Sequence, residues 1–131
     1  MNVILGLNVV LNKNKMKTHT RRSVAYIVGS VISKNKRNSV YDYSTSQYYS
    51  FSGNFDQNQI SVYDHTESCH VSGSLPSVYH YGNGKHISIQ INEDRFTGYD
   101  YDESCHFSGS VNGNSVSIYD YGESSYFNYL I

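Results

Sequence analysis

The triplet Tyr-Asp-Tyr, or a close variant of it, recurs along most of this chain. The copies begin at Tyr41, Tyr63, Tyr79, Tyr99 and Tyr119, so that the spacings are 22, 16, 20 and 20 residues. A short period that persists along the chain is typical of repeat proteins, in which one small structural unit is used several times. We therefore expect about five copies of one unit of roughly twenty residues.

Each copy carries two stretches in which apolar and polar residues alternate, as in half-buried β-strands. In one of them Cys105, Phe107 and Val111 fall on one face, while His106 and Ser108 fall on the other. Asn-Gly steps and short polar links separate the stretches, and such short links join antiparallel neighbours. The chain is predicted to be all-β, an antiparallel up-and-down meander of about five two-strand repeats, strongly curved or closed into a barrel. A β-solenoid with one repeat per coil is the alternative.

The alternation extends back to residues 24–31, which we interpret as the first strand of an incomplete leading copy. This places a basic N-terminal arm or edge strand at residues 1–23 and a single repeat domain at residues 24–131. Within the arm, residues 3–11 are predicted to cover a sheet edge, to form a disordered arm, or to swap into a partner copy.

The charges are segregated along the chain, although the net charge is only -1. Eight of the ten Lys and Arg lie at or before Arg37, and all eleven Asp and Glu lie from Asp42 onward. This pattern fits a solvated arm, contact with an anion, or a basic end that meets the acidic end of another copy. The aromatic residues lie mostly in the acidic part, so a nucleic-acid partner is not expected. No membrane span or signal peptide is recognisable, and a cytoplasmic location is expected.

The Asp of the triplet ends each apolar row where the chain turns, and a carboxylate there can accept backbone N–H bonds. We interpret Asp42, Asp64, Asp100 and Asp120 as residues that build the turn, while His80 breaks this column. We therefore expect the triplet to have mainly a structural role in the turns, with any chemical role secondary.

The two cysteines lie two copies apart, at Cys69 and Cys105. Four strand spacings of a meander separate them by about 19 Å, whereas a disulfide needs Cα atoms within about 7 Å. Both fall on the apolar face. We expect free thiols that act as small buried hydrophobes rather than as nucleophiles.

The Tyr residues of the triplets share the face opposite the Val and Ile residues, and a column of His joins them. Tyr packs across strands and is also enriched in binding surfaces, so a structural role and a binding role are compatible. In a meander the His residues lie about 10 Å apart, too far to share one zinc ion. No metal ligand, catalytic residue or cofactor is predicted. The predicted ligand or partner face consists of Tyr63, Tyr79, Tyr81, Tyr99, Tyr101, Tyr119, Tyr121, His70, His86 and His106.

These features favour a non-enzymatic binding or assembly module that uses the Tyr/His face, foremost for self-association into a homo-oligomer. The alternatives are a module that binds a saccharide or another small ligand, and a metal-binding or enzymatic site on the His column. The period and aromatic content resemble the choline- or glucan-binding repeats of bacterial surface proteins. Those repeats rely on Trp, which this chain lacks, so no residue role is carried over. The sequence leaves open which sheet face is the interior.

Overall fold

A computed structural model describes residues 14–131 and shows one α-helix followed by ten β-strands. Every strand pairs antiparallel with its neighbours in the chain, and β10 pairs with β1 to close the barrel. The predicted all-β meander closed into a barrel is confirmed, and the solenoid alternative is wrong. The elements are α1 (Thr18–Ser33), β1 (Ser39–Asp42), β2 (Gln47–Asp56), β3 (Gln59–Asp64), β4 (Cys69–Ser74), β5 (Ser77–His80), β6 (Lys85–Asn92), β7 (Arg95–Asp100), β8 (Cys105–Asn112), β9 (Ser115–Asp120) and β10 (Ser125–Leu130).

The triplets all lie at one end of the barrel, which we call the triplet end. There each odd-numbered strand is joined to the next strand by a link of four residues. At the opposite end the strand-to-strand links are two residues long, and the predicted Asn112-Gly113 hairpin uses Gly113 and Asn114 as its turn. The other predicted hairpin signal, Asn83-Gly84, lies in a four-residue link at the triplet end.

The turns at the triplet end share one construction. The carboxylate of the triplet Asp accepts a backbone N–H two residues later, as in Asp42 to Ser44 at 2.9 Å and Asp100 to Asp102 at 3.0 Å. The residue four positions after the Asp then has a positive φ angle, which lets the chain enter the next strand. These left-handed residues are Ser46, Ser68, Ser104 and Ser124, with φ between 54° and 56°, and Gly84, with φ 69°.

The Val, Ile and Phe residues of the strands point into the barrel, and the Tyr residues of the triplets point outward. Helix α1 fills the interior: all eleven residues from Thr20 to Ser30 are buried, whichever side of the helix they occupy. Barrel diameter grows with strand number, and eight strands already enclose enough space for side chains alone. Ten strands therefore leave room for a helix along the axis.

The prediction of a strand at residues 24–31 is wrong, because these residues form the middle of α1. A short apolar run has no unique period, since a fully enclosed helix is apolar on every side just as a buried strand is. The helix also crosses the predicted boundary between residues 23 and 24. Within residues 14–131 there is no helix that is both long and apolar enough to cross a membrane. The interpretations of residues 3–11 concern a segment outside the described residues.

Candidate functional site

The outer surface near the triplet end carries five clusters of three aromatic rings, which we call the aromatic triads. In each triad the first Tyr of the triplet lies between the ring two residues later and the ring of its cross-strand partner. The ring centroids are 4.7–4.9 Å apart and the ring planes meet at 62–86°. Edge-to-face contacts of this kind are favoured by the charge distribution of aromatic rings. The triads are Tyr41/Tyr43/Tyr48, Tyr63/His65/His70, Tyr79/Tyr81/His86, Tyr99/Tyr101/His106 and Tyr119/Tyr121/Tyr126.

All ten predicted face residues belong to these triads. The central Tyr of each triad is half-buried by its two neighbours, while the outer rings remain exposed, with Tyr48 70% and Tyr126 67% accessible. The three residues of the His column take part in this ring packing, since His70, His86 and His106 each make an edge-to-face contact with a Tyr. Tyr26 lies buried in α1 and is not part of this outer face.

His65 belongs to a triad although it stood outside the predicted column. Its ring lies 4.9 Å from the Tyr63 ring, because residues two apart in a strand share a face. The triads are separated by two strands, or about 10 Å. In the described part of the chain no three His, Cys, Asp or Glu residues are grouped closely enough to hold a metal ion.

Between the triads the outer face forms shallow grooves whose floors carry hydroxyl and amide groups. The larger has a volume of about 500 Å³ and is walled by the rings of Tyr99, His106 and Tyr121. Ser88 and Thr97 lie on its floor, and the Ser108 hydroxyl lies 3.3 Å from the Tyr121 hydroxyl.

A second groove, of about 330 Å³, lies at the equivalent place of another repeat, against Tyr63 and His70. Strand register proves the equivalence, because Ser52 pairs with Tyr63 as Ser88 pairs with Tyr99. Asn54 and Ser61 correspond in the same way to Gln90 and Thr97. The repeat thus presents one Tyr/His wall and a floor of hydroxyl and amide groups twice, whereas the second aromatic wall, Tyr121, belongs to the larger groove.

Inside the barrel, the triplet end is ringed by the buried side chains of Asp42, Asp64, His80, Asp100 and Asp120. Each Asp accepts a backbone N–H of its turn at Oδ1. Its Oδ2 either bonds an Arg of α1, as in Asp42 and Asp120, or is buried, as in Asp64 and Asp100. The Nδ1 atom of His80 accepts the backbone N–H of Asn83 at 3.1 Å, so His80 replaces the triplet Asp in its turn. In the sequence, only the position of His80 at the place of the triplet Asp indicates this replacement.

Two of these carboxylates are neutralised by the first turns of α1. Arg22 Nη1 lies 3.3 Å from Asp42 Oδ2, and Arg21 Nη1 lies 2.9 Å from Asp120 Oδ2. The two guanidinium groups also stack on the rings of Tyr49 and Phe127. In each of these two buried pairs the carboxylate charge is therefore balanced by one guanidinium charge.

The other two carboxylates have no such partner. Oδ2 of Asp64, Oδ2 of Asp100 and Nε2 of His80 are buried without a hydrogen bond from the described residues. Burial raises the pKa of Asp64, and it raises the pKa of Asp100 to about 6. Burial together with the nearby His19 lowers the pKa of His80 to about 4. In each of these groups burial shifts the pKa in the direction that favours the neutral form over the charged one.

The acidic links at the triplet end meet the basic residues that precede α1. Lys17 Nζ lies 2.9 Å from Asp102 Oδ2, and Lys15 Nζ lies 3.3 Å from Glu123 Oε2. The segregation of charge along the sequence therefore brings the basic segment to the acidic end of the same copy. The basic and acidic segments thus meet within one copy of the chain, whereas the sequence alone was also compatible with their meeting between two copies.

The cysteines are free and lie on β4 and β8, four strands apart. Burial raises the pKa of the Cys105 thiol to about 12, and burial also raises the pKa of the Cys69 thiol. The adjacent His106 points outward from the strand while Cys105 points inward. A protonated thiol on the opposite face from its neighbouring imidazole is poorly suited to nucleophilic chemistry.

Comparison of the chain with protein-family models, with curated proteins and with solved structures finds no match.

Proposed function

We propose that this protein is a non-enzymatic binding module that holds a polyhydroxylated ligand, a saccharide, in the grooves between its aromatic triads. The observation that carries the proposal is the repeated combination of a Tyr/His wall with a hydroxyl-lined floor. The rings of Tyr99 and Tyr121 offer apolar faces for stacking, while Ser88 and Thr97 offer hydroxyls for hydrogen bonds. Small ligands are recognised by such a mixture of aromatic walls and a few placed polar groups.

The composition of the outer face supports the same proposal. Tyr provides a large, rigid contact area at low cost in conformational entropy, and Ser and Asn provide adaptable hydrogen bonds, as in antibody binding sites. The floors of both grooves contain Ser, Thr, Asn or Gln. Uncharged polar groups of this kind match sugar hydroxyls better than they match a charged ligand. One lysine, Lys36, also lines the smaller groove.

The test is a panel of oligosaccharides titrated into the full chain while NMR signals of the Tyr and His rings are recorded. A binding sugar is expected to shift the signals of Tyr99 and His106, and those of Tyr63 and His70 at the equivalent groove. In Tyr121→Ser the affinity of the larger groove should fall at least five-fold, because one stacking wall is lost, while the second groove still responds.

The matched control is Tyr48→Ser, since Tyr48 is equally a triad ring but lines neither groove. Its affinities should equal those of the parent protein. A panel that leaves every Tyr and His ring signal unmoved would dispose of the saccharide proposal.

A second candidate function is self-association through the aromatic triads. Six Tyr rings that are 54–70% exposed favour it, because a monomer seldom leaves such a large aromatic surface uncovered. The pairing of Lys15 and Lys17 within the same copy weakens charge attraction between copies as a cause. Sedimentation equilibrium over a wide concentration range is the test, and a monomer throughout would end this candidate.

A further inference from the structure

We propose that the end of the barrel opposite the triplets contains a binding site for a small carboxylate with an apolar chain. A pocket of about 740 Å³ opens there between the end of α1 and the end of β2. Its size lies within the usual range of small-molecule sites, which often occupy the mouths of β-barrels. This pocket shares Lys36 and Asn54 with the smaller groove beside Tyr63 and His70, but no residue with the larger groove. The proposal rests on the apolar lining of the pocket, which the saccharide proposal does not use.

The inner part of the pocket is apolar. Val31 of α1 and Phe55 of β2 line it, and both are partly buried against the hydrophobic core. An apolar chain placed here would remove both side chains from water, which is favourable in proportion to the area covered. The wall thus selects a ligand that has an apolar part.

A buried polar group also lines this pocket. Ser30 is only 4% exposed, and its Oγ has no hydrogen-bond partner among the described residues. A buried hydroxyl that stays unpaired is unfavourable, because it has given up its hydrogen bonds to water. Ser30 lines the pocket but its Oγ is enclosed, so a small movement of this side chain would let the unused hydroxyl donate a hydrogen bond to a ligand oxygen.

Positive charge lies at the rim. Lys34 and Lys36 line the pocket, and neither makes a salt bridge within residues 14–131. The carboxylate of Asp56 lies in the same lining, and the end of a helix carries about half a negative charge. The two cations therefore exceed the nearby negative charge by less than one unit. A monoanion such as a carboxylate fits this excess better than a dianion, and a cation is disfavoured.

The test uses three probes that have the same ten-carbon chain, namely decanoate, decanol and decyltrimethylammonium, each titrated into the full chain below its micelle concentration. Calorimetry gives the affinity, and NMR signals of the Val31 methyls and the Phe55 ring give the location. We expect decanoate to bind at least five-fold more tightly than decanol, with the cation weaker still, and to shift the Val31 and Phe55 signals.

The decisive variant is Lys34→Asn. Lys34 has φ 57° at the end of α1, and Asn adopts this left-handed conformation readily, so the helix end is preserved. We expect decanoate affinity to fall at least five-fold and decanol affinity to stay unchanged. Ser30→Ala, which removes only the unpaired hydroxyl, should also weaken decanoate binding at least two-fold while leaving the fold intact.

The matched control is Lys85→Gln, an exposed lysine at the triplet end without a salt bridge among the described residues. It should bind all three probes as the parent protein does. Equal binding of decanol and decanoate, unchanged decanoate affinity in Lys34→Asn, or binding without shifts at Val31 and Phe55 would each overturn the proposal. So would a failure of decanoate to bind.

Discussion

Nη1 of Arg21 lies 2.9 Å from Oδ2 of Asp120, although 99 positions separate these residues in the chain. The same Oδ2 accepts the backbone N–H of Met16 at 3.0 Å, and Oδ1 accepts the N–H of Gly122 at 2.9 Å. One carboxylate thereby joins the start of the helix, the last repeat and the turn between β9 and β10. The side chains of Arg21 and Asp120 are 5% and 0% exposed, so the pair is shielded from water.

Breaking this pair should be strongly destabilising. Arg21→Met leaves the Asp120 charge buried without its guanidinium partner, and removal of one member of a buried pair costs about 3–5 kcal/mol. We expect a loss of about 3 kcal/mol in the free energy of unfolding, measured by urea denaturation. Lys17→Gln, which removes a partner that is 45% exposed, serves as the control and should cost less than about 1 kcal/mol. Equal losses in the two variants would contradict this account.

Asp100 should make stability depend on pH in a defined direction. Burial raises its pKa from the ordinary 3.8 to about 6, so the folded state retains the proton at pH values where the unfolded state has lost it. Its stabilising contribution is complete below about pH 4 and is lost as the pH rises through 6. His80 has the opposite effect over the same range, because its pKa is lowered to about 4. The contribution of Asp100 must therefore be measured as the difference in stability between the parent protein and a variant that lacks this carboxyl group.

That variant is Asp100→Asn, whose Oδ1 can still accept the N–H of Asp102. Relative to Asp100→Asn, the parent protein should lose on the order of 2 kcal/mol of unfolding free energy between pH 4 and pH 7. The measurement is a set of urea denaturation curves for both proteins across this range. If the two stability profiles run parallel, the buried carboxyl does not titrate as described.

Gly109 is required by close packing inside the barrel wall. A Cβ atom added there would lie 1.9 Å from the carbonyl oxygen of Ser117 and 2.5 Å from the Phe96 ring. Because backbone cannot yield as a flexible side chain does, Gly109→Ala should lower the free energy of unfolding by about 2 kcal/mol or more. Gly113→Asn is the control, since a Cβ there meets nothing within 4 Å and Asn tolerates its φ of 62°. Thermal unfolding of both variants would separate steric cost from the general effect of losing a glycine.

Replacing a Ser that has a positive φ angle in one of the turns should stabilise the protein. Ser104 has φ 54°, and the repeat that contains His80 uses Gly84 at the same position. Gly adopts positive φ without steric cost, so Ser104→Gly should raise the free energy of unfolding by about 0.5 kcal/mol after its greater unfolded-state entropy is counted. Ser110→Gly in the middle of β8 should instead destabilise by about 0.5–1 kcal/mol. Differential scanning calorimetry would show whether the two changes have opposite signs.

Much of the barrel could be predicted because its determinants are local. The alternation in residues 105–111 fixes which side chains share a face, and the four-residue and two-residue links allow only antiparallel neighbours. The turn-building role of Asp42 and Asp100 is equally local, since donor and acceptor are two residues apart. The candidate binding face followed from the same alternation, which placed the Tyr and His rings together.

The helix could not be predicted by the same reasoning. Residues 24–31 are mostly apolar, and the period of two that can be read in them does not exclude a helix, because a helix that is buried on every side shows no clear period of 3.6. The apolar pocket beside Phe55 was also missed, because it joins the end of α1 to the end of β2, and no spacing in the sequence indicates that contact.

The sequence by itself determined the repeat, the strands, the turns and the grouping of Tyr and His on one face, since each depends on residues close together in the chain. Only the tertiary structure decided that the Tyr face is outside, that ten strands close, and that α1 lies within. Closure creates an interior wide enough for a helix, and the helix then brings Arg21 and Arg22 to buried carboxylates of distant repeats. Such contacts depend on how the whole barrel is assembled, which no local pattern records.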